Sequence, residues 1–175
     1  MTTHKIRAAT VADAPALLEL YRPFVTEAVV SFETEPPPLD EFEARVLKAL
    51  GRYAWLVAEQ DGAIAGYAYG TVHRERAAYR WSAETSVYVD PRFHGRGIGR
   101  HLYERLFADL AARGYCNAYA GITLPNEASV ALHRKVGFAP IGVFPRVGFK
   151  FGAWRDVSWW HRPLRDAAGE PPPLG

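Results

Sequence analysis

The chain has 175 residues, 49% of them hydrophobic and 23% charged, with a formal net charge of +2. That is one domain's worth of chain with a full apolar complement, which excludes intrinsic disorder, and so small a net charge makes no field that would gather nucleic acid. A single cysteine, Cys116, excludes an internal disulfide, and the longest apolar run, Tyr53–Ala58, is too short to cross a bilayer.

The start, Met1-Thr2-Thr3-His4-Lys5, shows no signal-type apolar core, so a cytoplasmic protein that meets neither membrane nor nucleic acid is expected. His4–Ala9 alternates as a short opening strand. Thr10 and Asp13 resemble a capping box ahead of a helix with apolar groups at Ala14, Leu17, Leu18 and Tyr21, which Pro23 is expected to kink or end. Ser31–Pro38 closes on three prolines and reads as an extended loop. Leu39–Leu50 spaces Phe42, Val46, Leu47 and Leu50 for a second helix, with Gly51 as its stop.

Tyr53–Gln60 and Ala63–Val72 flank Asp61-Gly62, a strong hairpin signal. Ser82–Asp90 alternates, with Ala83, Thr85, Val87 and Val89 on one face and Glu84, Ser86 and Tyr88 on the other. Gly95-Arg96-Gly97-Ile98-Gly99 opens a third helix with a stripe of Ile98, Leu102, Leu106 and Leu110, and Gly114 sits at its C-terminal cap. Asn117–Thr123 reads as a strand, Asn126–Val136 as a short helix, and Phe138–Pro145 and Lys150–Trp160 as two last strands. Residues 1–165 are expected to form one domain and 166–175 a loose tail. Hairpins together with a β-α-β crossover predict a single-domain α/β (α+β) fold, a mixed sheet flanked by helices. The repeating β-α units of a doubly wound dinucleotide fold are absent.

The most informative stretch is Ser86–Arg100, where Gly95, Gly97 and Gly99 alternate with larger residues between a strand end and a helix start. Such a turn aims backbone N–H groups at one point, the helix dipole adds positive potential, and Arg92, Arg96 and Arg100 surround it. A pyrophosphate suits that geometry, although a plain strand–helix turn uses glycines in the same way. No Gly-Lys-Ser/Thr follows, which disfavours a P-loop. The histidines other than His133 form no spaced ligand set, so no metal is expected.

Val87-Tyr88-Val89 followed by Gly97 and Gly99 resembles the acyl-CoA-binding segment of the GCN5-related N-acetyltransferase (GNAT) superfamily, with His94 where that family has Gln or Arg. Leu124–Ser129 and Leu132–Phe138 match the superfamily's second half. Val30–Pro36, Ala78–Glu84 and Gly148–Val157 are similar to the phosphinothricin N-acetyltransferase and methionine sulfoximine acetyltransferase branch. The resemblance implies a mostly antiparallel central sheet, acetyl-CoA as co-substrate, and acetylation of the α-amine of a small amino acid by a homodimer.

It further implies that His94, Gly95, Arg96, Gly97, Ile98 and Gly99 hold the pyrophosphate, and that Val87, Tyr88 and Val89 offer backbone to the pantetheine arm. Asn126 would contact that arm, its other reading being a helix N-cap. Glu84 is the candidate base and His133 the candidate donor to the thiolate or alternative base; a solvent-facing carboxylate and a histidine bonded to a local carbonyl are the bland alternatives. Arg74, Arg76 and Arg80 are the candidates for the substrate's anionic groups, with Phe32 and Tyr79 as pocket walls; Trp154, Trp159 and Trp160 sit on the late strands, where the family forms its dimer and closes the pocket, core packing being their plain alternative. An enzyme acting on a protein N-terminus or lysine, and a non-catalytic acyl-CoA sensor, are the competing readings.

Overall fold

The structure, a computed structural model, describes residues 4–166 and 168–175. The reading of residues 1–3 lies outside the described residues, as does Ala167 in the tail. Seven strands, β1 (Lys5–Ala8), β2 (Trp55–Gln60), β3 (Ala63–Val72), β4 (Ser82–Val89), β5 (Asn117–Thr123), β6 (Ala139–Lys150) and β7 (Ala153–Pro163), form one sheet in the order β1-β2-β3-β4-β5-β7-β6. Four helices, α1 (Ala14–Thr26), α2 (Leu39–Arg52), α3 (Ile98–Ala112) and α4 (Glu127–Lys135), pack on it. Every neighbouring pair is antiparallel except β4 and β5, which run parallel. The sheet is therefore the mixed, mostly antiparallel one expected.

Strand alternation builds a core on each face. In β2, Leu56 and Ala58 join Ala68, Ala83 and the α3 stripe of Ile98, Leu102, Leu106 and Leu110 on one side. Trp55 and Val57 join Tyr67, Tyr88, Leu17 of α1 and Val46 of α2 on the other.

The break in this regularity matters most for function. β4 and β5 pair only at Ser82↔Asn117, Ala83↔Ala118 and Glu84↔Tyr119. Beyond Glu84 each strand stays with its other neighbour, β4 on β3 as far as Val89 and β5 on β7 as far as Thr123. Two complete antiparallel ladders pull the halves of the sheet apart, and a fork opens between them.

Several local expectations change. Pro23 does not end α1, which continues to Thr26 with Pro23 on its exposed side, where the carbonyl freed by the missing N–H can meet water. Gly51 does not stop α2; the helix runs on to Arg52 and closes with the Tyr53 amide on the Ala49 carbonyl. The last two strands are longer and later than expected and meet at Phe151-Gly152, where both residues have positive φ. Pro140 and Pro145 obscured β6, yet it is an edge strand with register shifts, where proline is tolerated. The segment expected to be a loose tail makes contacts: Trp81 Nε1 donates to the Pro172 carbonyl (2.8 Å), and the Gly175 amide donates to the Arg113 carbonyl (2.9 Å).

Candidate active site

The fork contains a cavity of about 300 Å³ lined by Phe32, Glu84, Ser86, Tyr88, Thr123 and Trp159 among others. Glu84, Ser86 and Tyr88 reach it together because alternation on β4 puts them on one face. The Asp90 amide donates to the Ala65 carbonyl (2.9 Å), which fixes the phase of the β3–β4 ladder. Ser86 and Tyr88 accordingly spend their backbone groups on β3, while Val87 and Val89 turn theirs into the fork. Tyr88, expected to serve the cofactor with its backbone, thus offers the cavity a side chain instead. Its ring packs against Tyr21 and Tyr67, with centroids 5.1 and 5.3 Å apart.

At the end of β4, His94 Nε2 lies 2.9 Å from the Val89 carbonyl. Gly95 and Gly97 have φ of +77° and +78°, a region that favours glycine, and nothing lies within 4 Å of where a Gly95 Cβ would sit. Gly97 is the left-handed N-cap of α3, so the first-turn amides of that helix face the loop. The arginines divide. Arg92 is paired with Asp90 and Arg100 with Glu104, whereas Arg96 forms no ion pair among the described residues. Open left-handed glycines, a helix N-terminus and an unpaired guanidinium fit a pyrophosphate, and the free amides of β4 fit an amide-rich arm.

The profile of the "Acetyltransferase (GNAT) family" matches residues 14–138. The chain belongs to the GNAT acetyltransferase family. It is 38% identical to the phosphinothricin N-acetyltransferase of Streptomyces viridochromogenes, over 90% of this chain and 86% of that one. It is 36% identical to the L-methionine sulfoximine/L-methionine sulfone acetyltransferase of Salmonella typhimurium, over 93% and 96% of the two chains. Among solved structures it superposes on a GNAT superfamily phosphinothricin acetyltransferase of Sinorhizobium meliloti in complex with AcCoA, with a TM-score of 0.93, 36% identity, and coverage of 98% and 94%.

In this GNAT acetyltransferase Glu84 is half-buried, and that burial raises its carboxyl pKa from its ordinary value against an opposing pull from Arg74. His73, which the sequence did not single out, places Nδ1 3.8 Å from Glu84 Oε2. Asn126 Oδ1 accepts from the Ser129 amide (3.1 Å), the N-cap reading, which commits only the oxygen of its amide.

His133 lies away from the residues lining the cavity, 4% exposed. Its Nδ1 is 2.7 Å from the Ser129 carbonyl and its Nε2 3.0 Å from the Tyr103 hydroxyl. Burial lowers its pKa, and the two contacts have Nδ1 donating to the carbonyl and Nε2 accepting from the hydroxyl. The expected donor to a thiolate has no hydrogen to spare.

The proposed substrate residues are also divided. Phe32 lines the cavity, on a loop held by Lys150, whose Nζ donates to the Val25 and Ser31 carbonyls (both 2.7 Å). Glu33 in the same loop accepts from Arg45 (2.6 Å) and Tyr21 (2.5 Å). Arg74, Arg76, Tyr79 and Arg80 instead line a separate hollow of about 60 Å³. Of these, Arg74 leans over the Trp159 ring (5.6 Å) and so borders the cavity, while Arg80 stacks on Trp81 (4.1 Å). The cluster read from the sequence stays together, with the 3₁₀ turn at Ala77–Tyr79 in its middle, but around that hollow and not around the cavity that Glu84 lines. Trp159, one of the late-strand tryptophans, is a wall of the cavity, whereas Ser86, Thr123 and Val157 were missed; alternation on β4 could have found Ser86, but the other two need the β5–β7 register.

Proposed function

We propose that the chain transfers acetyl from acetyl-CoA to the α-amine of a small amino acid of the phosphinothricin or methionine sulfoximine type. The observation that carries this is the fork, which sets a half-buried carboxylate, Glu84, beside backbone groups of Val87 and Val89 that no strand uses. Acetyl-CoA supplies the acyl group as an activated thioester. Gly95, Gly97, Ile98 and Gly99 present amides to the pyrophosphate, with Arg96 as counter-charge and His94 fixing the strand end. The amides of Val87 and Val89 bind the pantetheine arm and polarise the reacting carbonyl, and the Asn126 amide nitrogen is available to the same arm. Glu84 accepts the proton of the substrate ammonium, which is otherwise held at neutral pH. His133 takes a positioning role, tying α4 to Tyr103.

For the substrate, we assign the carboxylate or the anionic side group to Arg74, with Arg76 and Arg80 as further candidates and Phe32 and Tyr79 as walls. A cavity of about 300 Å³ suits a free amino acid better than a peptide. Homodimerisation is supported by the apolar β6–β7 face, where Ile141, Phe149 and Trp154 are 59%, 59% and 60% exposed. Cytoplasmic residence is supported by the buried free thiol of Cys116, which needs no oxidising compartment. The test is thiol release from acetyl-CoA against a panel of free amino acids and peptides. Turnover of peptides alone rejects the reading; binding of acetyl-CoA without turnover returns the sensor.

A further inference from the structure

His73 immediately follows β3, beside the point where β4 and β5 part. Its ring stacks on Tyr119 of β5, with centroids 4.4 Å apart and planes 14° apart. It meets Trp159 of β7 and Tyr79 edge-on, at 6.2 and 6.0 Å. Three aromatic side chains therefore fix the plane of the imidazole. Among the described residues Nδ1 is sealed from solvent without a hydrogen-bond partner, and Oε2 of Glu84 lies 3.8 Å away. A buried polar atom left unpaired is costly, and a small rotation of the Glu84 carboxyl would close this gap. Of the two ring nitrogens, only Nδ1 is sealed in this way.

We propose that His73 takes the substrate's proton from Glu84 and passes it out of the cavity. The inference rests on the assignment of Glu84 as base. An ammonium that ends as an amide loses two protons: one accompanies the departing thiol, and one must reach solvent. For the latter, an N–H bond of the ammonium breaks as an O–H bond forms on Glu84. That bond breaks in turn as Nδ1 of His73 is protonated, and the imidazolium releases its Nε2 proton to water. Exchange with water restores the starting tautomer before the next turnover. His73 touches the base rather than the amine and is a positioning residue in that sense.

The titratable and charged groups facing the ring are Glu84 from β4, the adjacent Arg74, Tyr79 from the 3₁₀ turn and Tyr119 from β5, with His161 of β7 beside Tyr119. Burial, then Arg74, lowers the His73 pKa, while burial raises that of Glu84. The two proton affinities approach each other, as transfer between them requires.

The test is His73→Phe, which keeps a ring on Tyr119 and removes both nitrogens. With saturating amino acid, kcat at neutral pH should fall by about tenfold, the KM for acetyl-CoA should hold, and added imidazole should restore the rate. In a Glu84→Gln background the same change should cost nothing further. Independently, the imidazole ¹⁵N titration of His73 should shift when Glu84 becomes Gln. Unchanged kcat and pH profile in His73→Phe, losses that multiply in the double variant, or a His73 titration indifferent to Glu84→Gln would each overturn the relay. Full activity of Glu84→Gln is a different failure, because it removes the base and the relay together.

Discussion

Gly148 of β6 faces the ring of Phe32 so closely that a Cβ on the glycine would overlap the ring edge. The last hairpin and the loop before α2 therefore meet at the cavity wall, although more than a hundred residues of sequence separate them. Gly148→Ala should push the flexible end of Phe32 aside without unfolding the chain. The expected result is a KM for the amino acid raised several-fold, with the KM for acetyl-CoA and the melting temperature nearly unchanged.

Glu84→Gln keeps the shape and removes the base. Steady-state kinetics should show kcat lower by about 10²–10⁴-fold at neutral pH, with a smaller deficit at high pH, where free amine is available unaided. Because burial raises the Glu84 pKa, the wild-type acid limb should lie above the ordinary carboxylate range. The sign for stability is opposite to the sign for activity. A carboxyl with a raised folded-state pKa binds more protons folded than unfolded, so it costs stability as pH rises through that range. The glutamine variant should therefore melt higher than wild type at pH 7 while turning over more slowly.

Gly97→Val forces a β-branched residue into a φ of +78° at the loop where backbone amides gather. Calorimetry should find acetyl-CoA affinity reduced by at least about tenfold, since a substituent there displaces the amides that share the phosphate charge. Unchanged affinity would move the phosphate site elsewhere.

Arg74→Gln and Arg80→Gln separate the arginines by their surroundings. Arg74 borders the cavity over Trp159, and Arg80 is stacked on Trp81. The amino-acid KM should rise by about tenfold in the first, the worth of one charge-assisted contact, and little in the second. Equal effects would remove the distinction drawn from the two stacking partners.

His133 gives a stability prediction. Its folded-state pKa is lowered by burial, so at low pH the unfolded chain takes up a proton that the folded chain refuses. Its contribution to stability is intact above about pH 6.5 and is lost as pH falls below that value. Melting temperatures followed from pH 7.5 downward should fall less steeply in His133→Gln than in wild type. His73 and His161, also lowered by burial, act in the same direction.

How much of this was legible in the sequence depended on the range of the interactions. The glycine turn, the Asp61-Gly62 hairpin and the stripes of α1 and α3 rest on neighbours a few residues apart, and the structure has them where their spacing put them; in α2 Leu47, read into the stripe, is exposed and Ala49 is buried instead. The facing of Glu84, Ser86 and Tyr88 followed from alternation alone. The fork did not, because it depends on where β4 ceases to pair with a strand more than thirty residues later. For the same reason His73 was silent: nothing next to it in the chain signals Tyr119, Trp159 or the carboxylate it faces. The arginines misled in the opposite direction, since closeness in sequence kept them together at a hollow beside the one that Glu84 lines.

The fork also bears on how the chain holds together. Backbone amides of Val87 and Val89 that have no strand opposite them should exchange their hydrogens with water readily, although they belong to a central strand. An extended amide-bearing ligand laid along them would act as an eighth strand and slow that exchange at these two residues more than in the outer ladders. Ligand and fold are then coupled. At a concentration a hundred times the dissociation constant, occupancy would stabilise the folded chain by about 2.7 kcal/mol. Thermal tolerance would in this way track the supply of acetyl-CoA, so that a depleted pool would leave the catalyst both idle and easier to unfold.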